Sequence, residues 1–141
     1  MYPKADIPVT QLSIQPHLTP HHHFNLGKAL ASLRSQNILI IASGSATHNL
    51  REFGKYSLNA LPPVWVTEFS QWLSQTLEQK NIEALLDYCR LAPHASRNHP
   101  TEEHLLPLFV ALGAGGERAK VVELHSSYTY GVLSMAAYAF E

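Results

Sequence analysis

The sequence has a single cysteine, Cys89, and no apolar run that approaches the length of a membrane-spanning helix. One cysteine cannot form a disulfide within the chain, and a transmembrane helix needs roughly 20 consecutive apolar residues. Residues 1–15 lack the charged start and apolar middle of a secretory signal. We therefore expect a soluble, cytoplasmic protein with no membrane partner.

Charged residues are few and balanced in sign, with ten Lys and Arg against eleven Asp and Glu. Because nucleic-acid-binding surfaces need clustered positive charge, this composition gives no indication of a nucleic-acid partner. The chain has 141 residues, of which 45% are hydrophobic. It therefore fits a single domain over residues 1–141 with one core.

Several catalytic signatures are missing, namely H-E-x-x-H, C-x-x-C, G-x-S-x-G and a phosphate-binding glycine loop. The sequence therefore gives no motif support for the enzyme classes that these signatures indicate. Histidine is abundant instead, with nine residues. Because neutral imidazole binds metals and transfers protons near neutral pH, the histidines are the candidates for a site.

The start of the chain has the pattern of a strand, a helix and a second strand. Residues 7–14 are typical of a strand, Thr19 and Pro20 fit a helix N-cap and first turn, and the apolar helix stripe reaches Arg34. Residues 38–42 form an uninterrupted apolar run, as expected of a parallel strand buried on both faces. This βαβ unit predicts an α/β fold with a central, largely parallel sheet flanked by helices.

Downstream, the pattern predicts three more helices and two closing strands. The helices are expected at residues 65–77, at residues 82–89, and from a cap at Thr101 to an end at Gly113, and the strands at residues 120–124 and 133–140. For the second strand a helix is the alternative, because Met135, Ala136 and Ala137 also permit one.

Two histidines lie where a function is favoured. In open α/β sheets, ligands bind beyond the carboxyl ends of the strands, and the loop at residues 43–48 ends in His48 just there. The small residues of this loop leave room for a ligand against the backbone. His104 stands at the start of the last predicted helix, where the helix dipole favours a neutral ring. For each histidine a structural role is the alternative, with His48 donating to a carbonyl and His104 facing water.

The other histidines have no partner at metal-binding spacing. His21 and His23 would lie about 200° apart on a helix, so we expect a solvated first turn rather than a metal site. His94, His99 and His125 are predicted as surface or loop residues.

Four segments resemble the class III extradiol ring-cleaving dioxygenases, and the similarity is strongest to the DOPA 4,5-dioxygenase-like branch. They are residues 2–14, 41–51, 100–108 and 131–135. The similarity runs over nearly the whole chain in consistent order. Members of this family are about twice as long, and their N-terminal half carries two metal-binding histidines in Gly-His-Gly-Ser-Pro and Ser-Ala-His-Trp motifs. Neither motif occurs here, so the resemblance implies the C-terminal half of a larger dioxygenase domain.

The resemblance also implies a chemistry, the O₂-dependent cleavage of a small catechol such as DOPA at a non-haem Fe(II) ion. His48 matches the family's acid/base histidine, which also lies within reach of the metal. His104 matches the position of the third metal ligand, and Glu103 is the alternative. Other branches of the family have glutamate at this position, so histidine is a departure that makes the site richer in nitrogen. Because imidazole binds zinc and iron alike, Zn(II) is an alternative to Fe(II). Ser43, Gly44 and Thr47 are the expected substrate-binding residues.

A facial Fe(II) site needs three protein ligands, and this chain offers fewer. We therefore expect activity to require the missing N-terminal half, in cis or as a separate chain. We expect the isolated chain to expose apolar surface, and so either to self-associate into a homo-oligomer or to be poorly soluble. Two alternatives remain. One is a degenerate half-domain that serves only as a binding or structural subunit. The other is a zinc-dependent site completed across a homodimer by His17 or His21.

Overall fold

The computed structural model describes residues 3–141 and shows a mixture of helices and short strands. Tyr2, in the first of the four similar segments, lies outside the described residues. The helices are α1 (Pro20–Leu30), α2 (Val64–Glu78), α3 (Ile82–Leu86), α4 (Tyr88–Leu91), α5 (Ala95–Asn98) and α6 (Leu106–Gly115). The strands are β1 (Thr47–His48), β2 (Val121–His125), β3 (Tyr128–Thr129), β4 (Leu133–Ser134) and β5 (Ala137–Phe140). The predicted α/β class is confirmed.

The predicted parallel pairing is wrong for the described residues, in which every ladder is antiparallel. Strands β1, β4 and β3 form one small sheet in that order, and β2 pairs with β5 in a second. Residues 7–14 and 38–42, the two strands of the predicted βαβ unit, have no ladder partner. A strand needs a neighbour for its backbone N–H and C=O groups, and the described chain gives these segments none. Several of their apolar side chains consequently stay exposed, among them Val9 and Leu39.

Helix α1 begins as the sequence predicts. The hydroxyl of Thr19 accepts a hydrogen bond from the backbone N–H of His22 at 3.3 Å, and Pro20 opens the helix. The helix tightens into a 3₁₀ turn at Ala31–Gln36 and ends at Asn37, whose φ of 60° is left-handed. Asparagine tolerates this conformation better than most residues, which makes it a suitable stop.

Helices α1 and α6 cross at glycines. A Cβ atom on Gly27 would lie 2.1 Å from the carbonyl oxygen of Val110, and one on Gly113 would lie 2.1 Å from that of Phe24. The prediction that Gly113 caps α6 is therefore wrong. The helix continues to Gly115 and ends at Gly116, whose φ is 82°. Gly113 instead lets the two backbones touch.

The main core lies between α2 and α6. Phe69, Leu73 and Leu77 follow one another at four-residue spacing on α2, so they share one face of the helix. They pack with residues from the middle and end of the chain, namely Leu85, Tyr88, Leu105, Leu106, Phe109 and Leu112. Leu105 and Leu106 of this core follow His104 directly, so the core anchors the segment that carries His104. Within residues 3–141, no helix has the length and apolarity that crossing a membrane requires.

Candidate functional site

The structure brings together His48 and His104, which are far apart in sequence. Their imidazole rings stack with centroids 3.7 Å apart and planes inclined by 24°. His48 lies in the short strand β1, and His104 lies in the turn that precedes α6. Both rings are partly accessible, with 42% of the His104 side chain exposed. The two candidate histidines thus share one surface site.

Strand β1 fixes the backbone of His48 against β4. His48 pairs with Leu133, and the neighbouring Thr47 pairs with Ser134. The Thr47 hydroxyl donates to the carbonyl of Val132 at 2.9 Å and accepts from the N–H of Ser134 at 2.8 Å. Thr47 is fully buried. Its hydroxyl thus holds β1 in place and is turned away from solvent, and substrate binding by Thr47 stays a prediction.

The loop before His48 touches the backbone of His104 directly. The Ser45 N–H donates to the His104 carbonyl at 2.8 Å. A Cβ atom on Gly44 would lie 2.2 Å from the same carbonyl oxygen, so only glycine allows this approach. Ser43 and Gly44 are themselves exposed. They remain available to a ligand beside the histidine pair.

His99, which is predicted as a surface or loop residue, lies in the loop after α5 but is not on the surface. It is 5% exposed and packs edge-on against Tyr88, with ring centroids 6.2 Å apart. Its Nε2–H donates to the carbonyl of Ala46 at 2.9 Å, two residues before His48. The Asn49 amide adds a second link by donating to the Arg97 carbonyl at 2.6 Å. The His48 loop is thus held on both sides by residues 97–104.

No sequence signal distinguishes His99 from an exposed loop histidine, because its burial depends on rings that are distant along the chain. The same is true of His23, which is buried although a solvated first turn is predicted there. Its Nδ1–H donates to the Thr19 carbonyl at 2.9 Å, and its Nε2 accepts the Gln15 N–H at 3.2 Å. Both nitrogens are therefore engaged in closing the turn before α1.

Burial and the neighbouring His104 ring lower the pKa of His48 below the ordinary value, against an opposing effect of Glu103. A neutral imidazole at pH 7 can accept a proton, as an acid/base group must. Hydrogen bonds from the Thr101 hydroxyl and from its own backbone N–H lower the pKa of Glu103, so it is a carboxylate. Its Oε1 lies 3.4 Å from Nδ1 of His104. That nitrogen is shielded from solvent but forms no hydrogen bond of proper geometry.

Thr101 does not cap α6 as predicted. Its hydroxyl donates to the Glu103 carboxylate at 2.8 Å, and the helix begins five residues later, at Leu106. Residues 101–105 instead form a turn. His104 is therefore held by a turn and by its carbonyl contact with the His48 loop, and not by the first turn of a helix.

The chemistry of these side chains suits Fe(II) or Zn(II), since imidazole and carboxylate bind both ions. The number of these side chains is too small for the three protein ligands of a facial site. Across residues 3–141, no three His, Cys, Asp or Glu side chains cluster closely enough to hold a metal ion. His17 and His21 are exposed and join no such cluster. A complete facial site at His104 would need ligands from elsewhere.

An open groove of about 990 Å³ is lined by residues 38–46, by β5 and by His104. Its lining is mostly aliphatic, and Gly44 lies against the His104 carbonyl. We call it the strand groove.

The buried ring of His99 predicts a pH-dependent stability. Burial lowers the pKa of His99 to about 4 from 6.5, so the unfolded chain takes up the proton first as the pH falls. Stability is therefore unaffected above pH 6.5 and decreases between pH 6.5 and about 4, by roughly 3 kcal/mol for this group. Denaturant titrations at several pH values measure the loss.

The variant His99→Gln retains an N–H donor for Ala46 but does not titrate, so its stability should fall less steeply over this range. The exposed residue His17 provides the matched control, because His17→Gln should keep the wild-type slope. An equal acid loss in wild type and His99→Gln would contradict the assignment.

Comparison with known proteins identifies a matching family and several similar sequences. Residues 1–141 match the model of a family described as the catalytic LigB subunit of aromatic ring-opening dioxygenase. A 4,5-DOPA dioxygenase extradiol of Beta vulgaris is 44% identical over 140 residues, which are 99% of this chain and 52% of that protein. One of the same name from Escherichia coli is 36% identical over 141 residues, covering 96% of this chain and 50% of the relative.

Among solved structures, an uncharacterized Escherichia coli protein, JW3007, superposes with a TM-score of 0.87 at 33% identity. The match covers 98% of this chain and 57% of that one. The chain thus spans about half the length of the curated relatives it matches, and it corresponds to their C-terminal half.

Proposed function

Because the chain belongs to the family of catalytic LigB subunits of aromatic ring-opening dioxygenases, we propose that it forms the C-terminal half of an extradiol dioxygenase acting on a catechol of the DOPA type. The observation that carries the proposal is the stacked pair of His48 and His104. Two imidazoles brought together from distant segments, beside an open groove, supply both an acid/base group and a metal ligand. The names of the relatives support the substrate class.

In this proposal His48 is the general acid/base that accepts and returns the proton of a catechol hydroxyl. Its ring is partly buried, and its lowered pKa keeps it neutral at pH 7, so it can accept a proton from a catechol hydroxyl and later return it. The bonds that Ser45 and Thr47 make just before His48 fix the backbone that carries the ring, and the ring stacks on His104. A fixed position matters as well as a suitable pKa, because a base can take a proton only within hydrogen-bond distance of it.

His104 is the proposed metal ligand, and Glu103 is the runner-up. A bound Fe(II) or Zn(II) ion would polarise the catechol oxygens, and Fe(II) would also admit O₂ at an open position. Ser43 and Gly44 are the proposed substrate contacts, because they are exposed beside the histidine pair. The described residues supply too few ligands for a facial site. The remaining ligands are therefore proposed to come from the polypeptide that corresponds to the N-terminal half of the relatives.

The test combines this chain with the N-terminal half of a relative, loads the mixture with Fe(II) without oxygen, and then adds DOPA and air. We expect O₂ consumption and a yellow ring-fission product only when both halves and the metal are present. Tyrosine, which lacks the second ring hydroxyl, serves as the substrate control. A mixture that forms a complex and binds metal, yet cleaves no catechol, would contradict the proposed function. It would favour the non-catalytic alternative.

A further inference from the structure

We propose that the strand groove is the docking surface for β-strands of the polypeptide that corresponds to the N-terminal half of the relatives. Such strands would pair with the backbone of residues 39–44 on one wall and with β5 on the other. The inference deepens the proposed function, on which it rests, by naming the surface where the second half binds. Four observations support it.

The first observation is unpaired backbone on both walls. Strand β5 pairs with β2 along one edge, from Val121 with Phe140 to His125 with Ala137, and its residues line the groove. On the other wall, the Ile38 N–H donates to Leu33 and the Ser45 N–H to His104. Between these two bonds, the backbone groups of residues 39–44 have no hydrogen-bond partner among the described residues. Unpaired backbone edges are templates for an added strand.

The second observation is the burial pattern of residues 39–43. Ile40 and Ala42 are half-buried, whereas Leu39, Ile41 and Ser43 are exposed. A period of two is the signature of a strand with one covered face. The sequence is nevertheless apolar on both faces, as in a strand that is covered on both sides. Leu39 is 66% exposed and Ile41 is 61% exposed, so no described residue covers this second apolar face.

The third observation is the distribution of charge. The groove lining is mostly aliphatic, and few of its residues carry charge, among them Arg34 and Glu141. The Arg34 guanidinium donates to the carbonyls of Gly115 and Phe140, which holds the end of β5 against α6. His104 is also part of the lining. An apolar strand fits this lining better than a charged small molecule. Residues of the partner that flank such a strand would lie close to His104, the proposed metal ligand.

The fourth observation is the size of the missing partner. The chain covers 52% of the Beta vulgaris relative and 57% of the superposed Escherichia coli protein, whose fold it shares at a TM-score of 0.87. Nearly half of each relative is therefore available to cover the groove. A second copy of this chain offers the same apolar edge, so a homodimer is the competing outcome of the test below.

The test mixes the purified chain with the N-terminal half of the Beta vulgaris relative and, separately, with that of the Escherichia coli relative, in the absence of metal and catechol. Light scattering after gel filtration should show a one-to-one complex. Hydrogen exchange should slow at residues 39–44 and 137–140. The variant Ile41→Lys should weaken association at least about tenfold, since it places a charge in an apolar interface. Val64→Lys is the matched control, because Val64 is 67% exposed and lies outside the groove, and it should leave association unchanged.

Three results would overturn the proposal. They are no complex with either half, a complex that Ile41→Lys does not weaken, and a homodimer of this chain alone that protects residues 39–44. The test does not depend on turnover. A complex that forms through the groove but cleaves no catechol would leave the docking surface standing and remove the proposed function.

Discussion

In the assembled protein, His48→Ala should lower kcat for catechol cleavage by about 10²–10⁴-fold, the usual contribution of a general acid/base group. The metal content should stay close to one ion per complex, because the proposal makes His104, and not His48, the principal ligand in this chain. The acid limb of the pH profile should disappear with the imidazole. In the wild type, activity should rise with pH as the ring loses its proton, at a pH below 6.5 because the pKa of His48 is lowered.

Steady-state kinetics and metal analysis of the same samples make this measurement. His94→Ala is the matched control, since His94 is an exposed histidine paired with Glu68 at 2.7 Å, outside the stacked pair. It should retain wild-type kcat. Unchanged turnover in His48→Ala would contradict the acid/base role, and loss of the metal would make His48 a ligand instead.

Gly113→Ala should lower the free energy of unfolding by about 2–3 kcal/mol, a large part of the 5–15 kcal/mol that a domain has available. The added Cβ would lie 2.1 Å from the carbonyl oxygen of Phe24 and 2.9 Å from the backbone nitrogen of Lys28. Both obstacles are backbone of α1, so the two helices must separate. The better helix propensity of alanine, worth about 1 kcal/mol, does not offset this cost.

Urea titration followed by circular dichroism gives the free energy. Asn25→Ala is the control, because Asn25 lies on the exposed side of α1 and gains helix propensity without a contact to α6. Its stability should be unchanged or slightly higher. A Gly113→Ala protein as stable as the Asn25→Ala protein would show that the helices do not meet at this glycine.

Local signals in the sequence predict α1 and α2 well. Thr19 and Pro20 mark the start of α1 because the cap and the first turn use only neighbouring residues. The apolar stripe of α2 is likewise visible in the sequence, because its residues recur at the spacing of a helical turn. The position of His48 and the family resemblance also predict that it shares a site with His104, and the structure places their rings together. Their chemical roles remain proposals.

Pairings with distant partners could not be predicted in the same way. The apolar run at residues 38–42 reads as a buried parallel strand, yet burial and pairing depend on a neighbour that the described chain does not provide. His99 and Thr47 acquire their roles from Ala46 and from β4, which no local pattern reveals. Gly113 resembles a helix stop, and only the crossing with α1 shows why it is a glycine.

The central claim is that His104 binds the catalytic metal of a site that this chain shares with its second half. Anomalous diffraction at the iron or zinc edge, from crystals of the assembled protein, tests it most directly. We expect a single peak about 2.0–2.1 Å from an imidazole nitrogen of His104, with the His48 ring beside it. A peak ligated by other residues, with His104 outside bonding distance, would contradict the account.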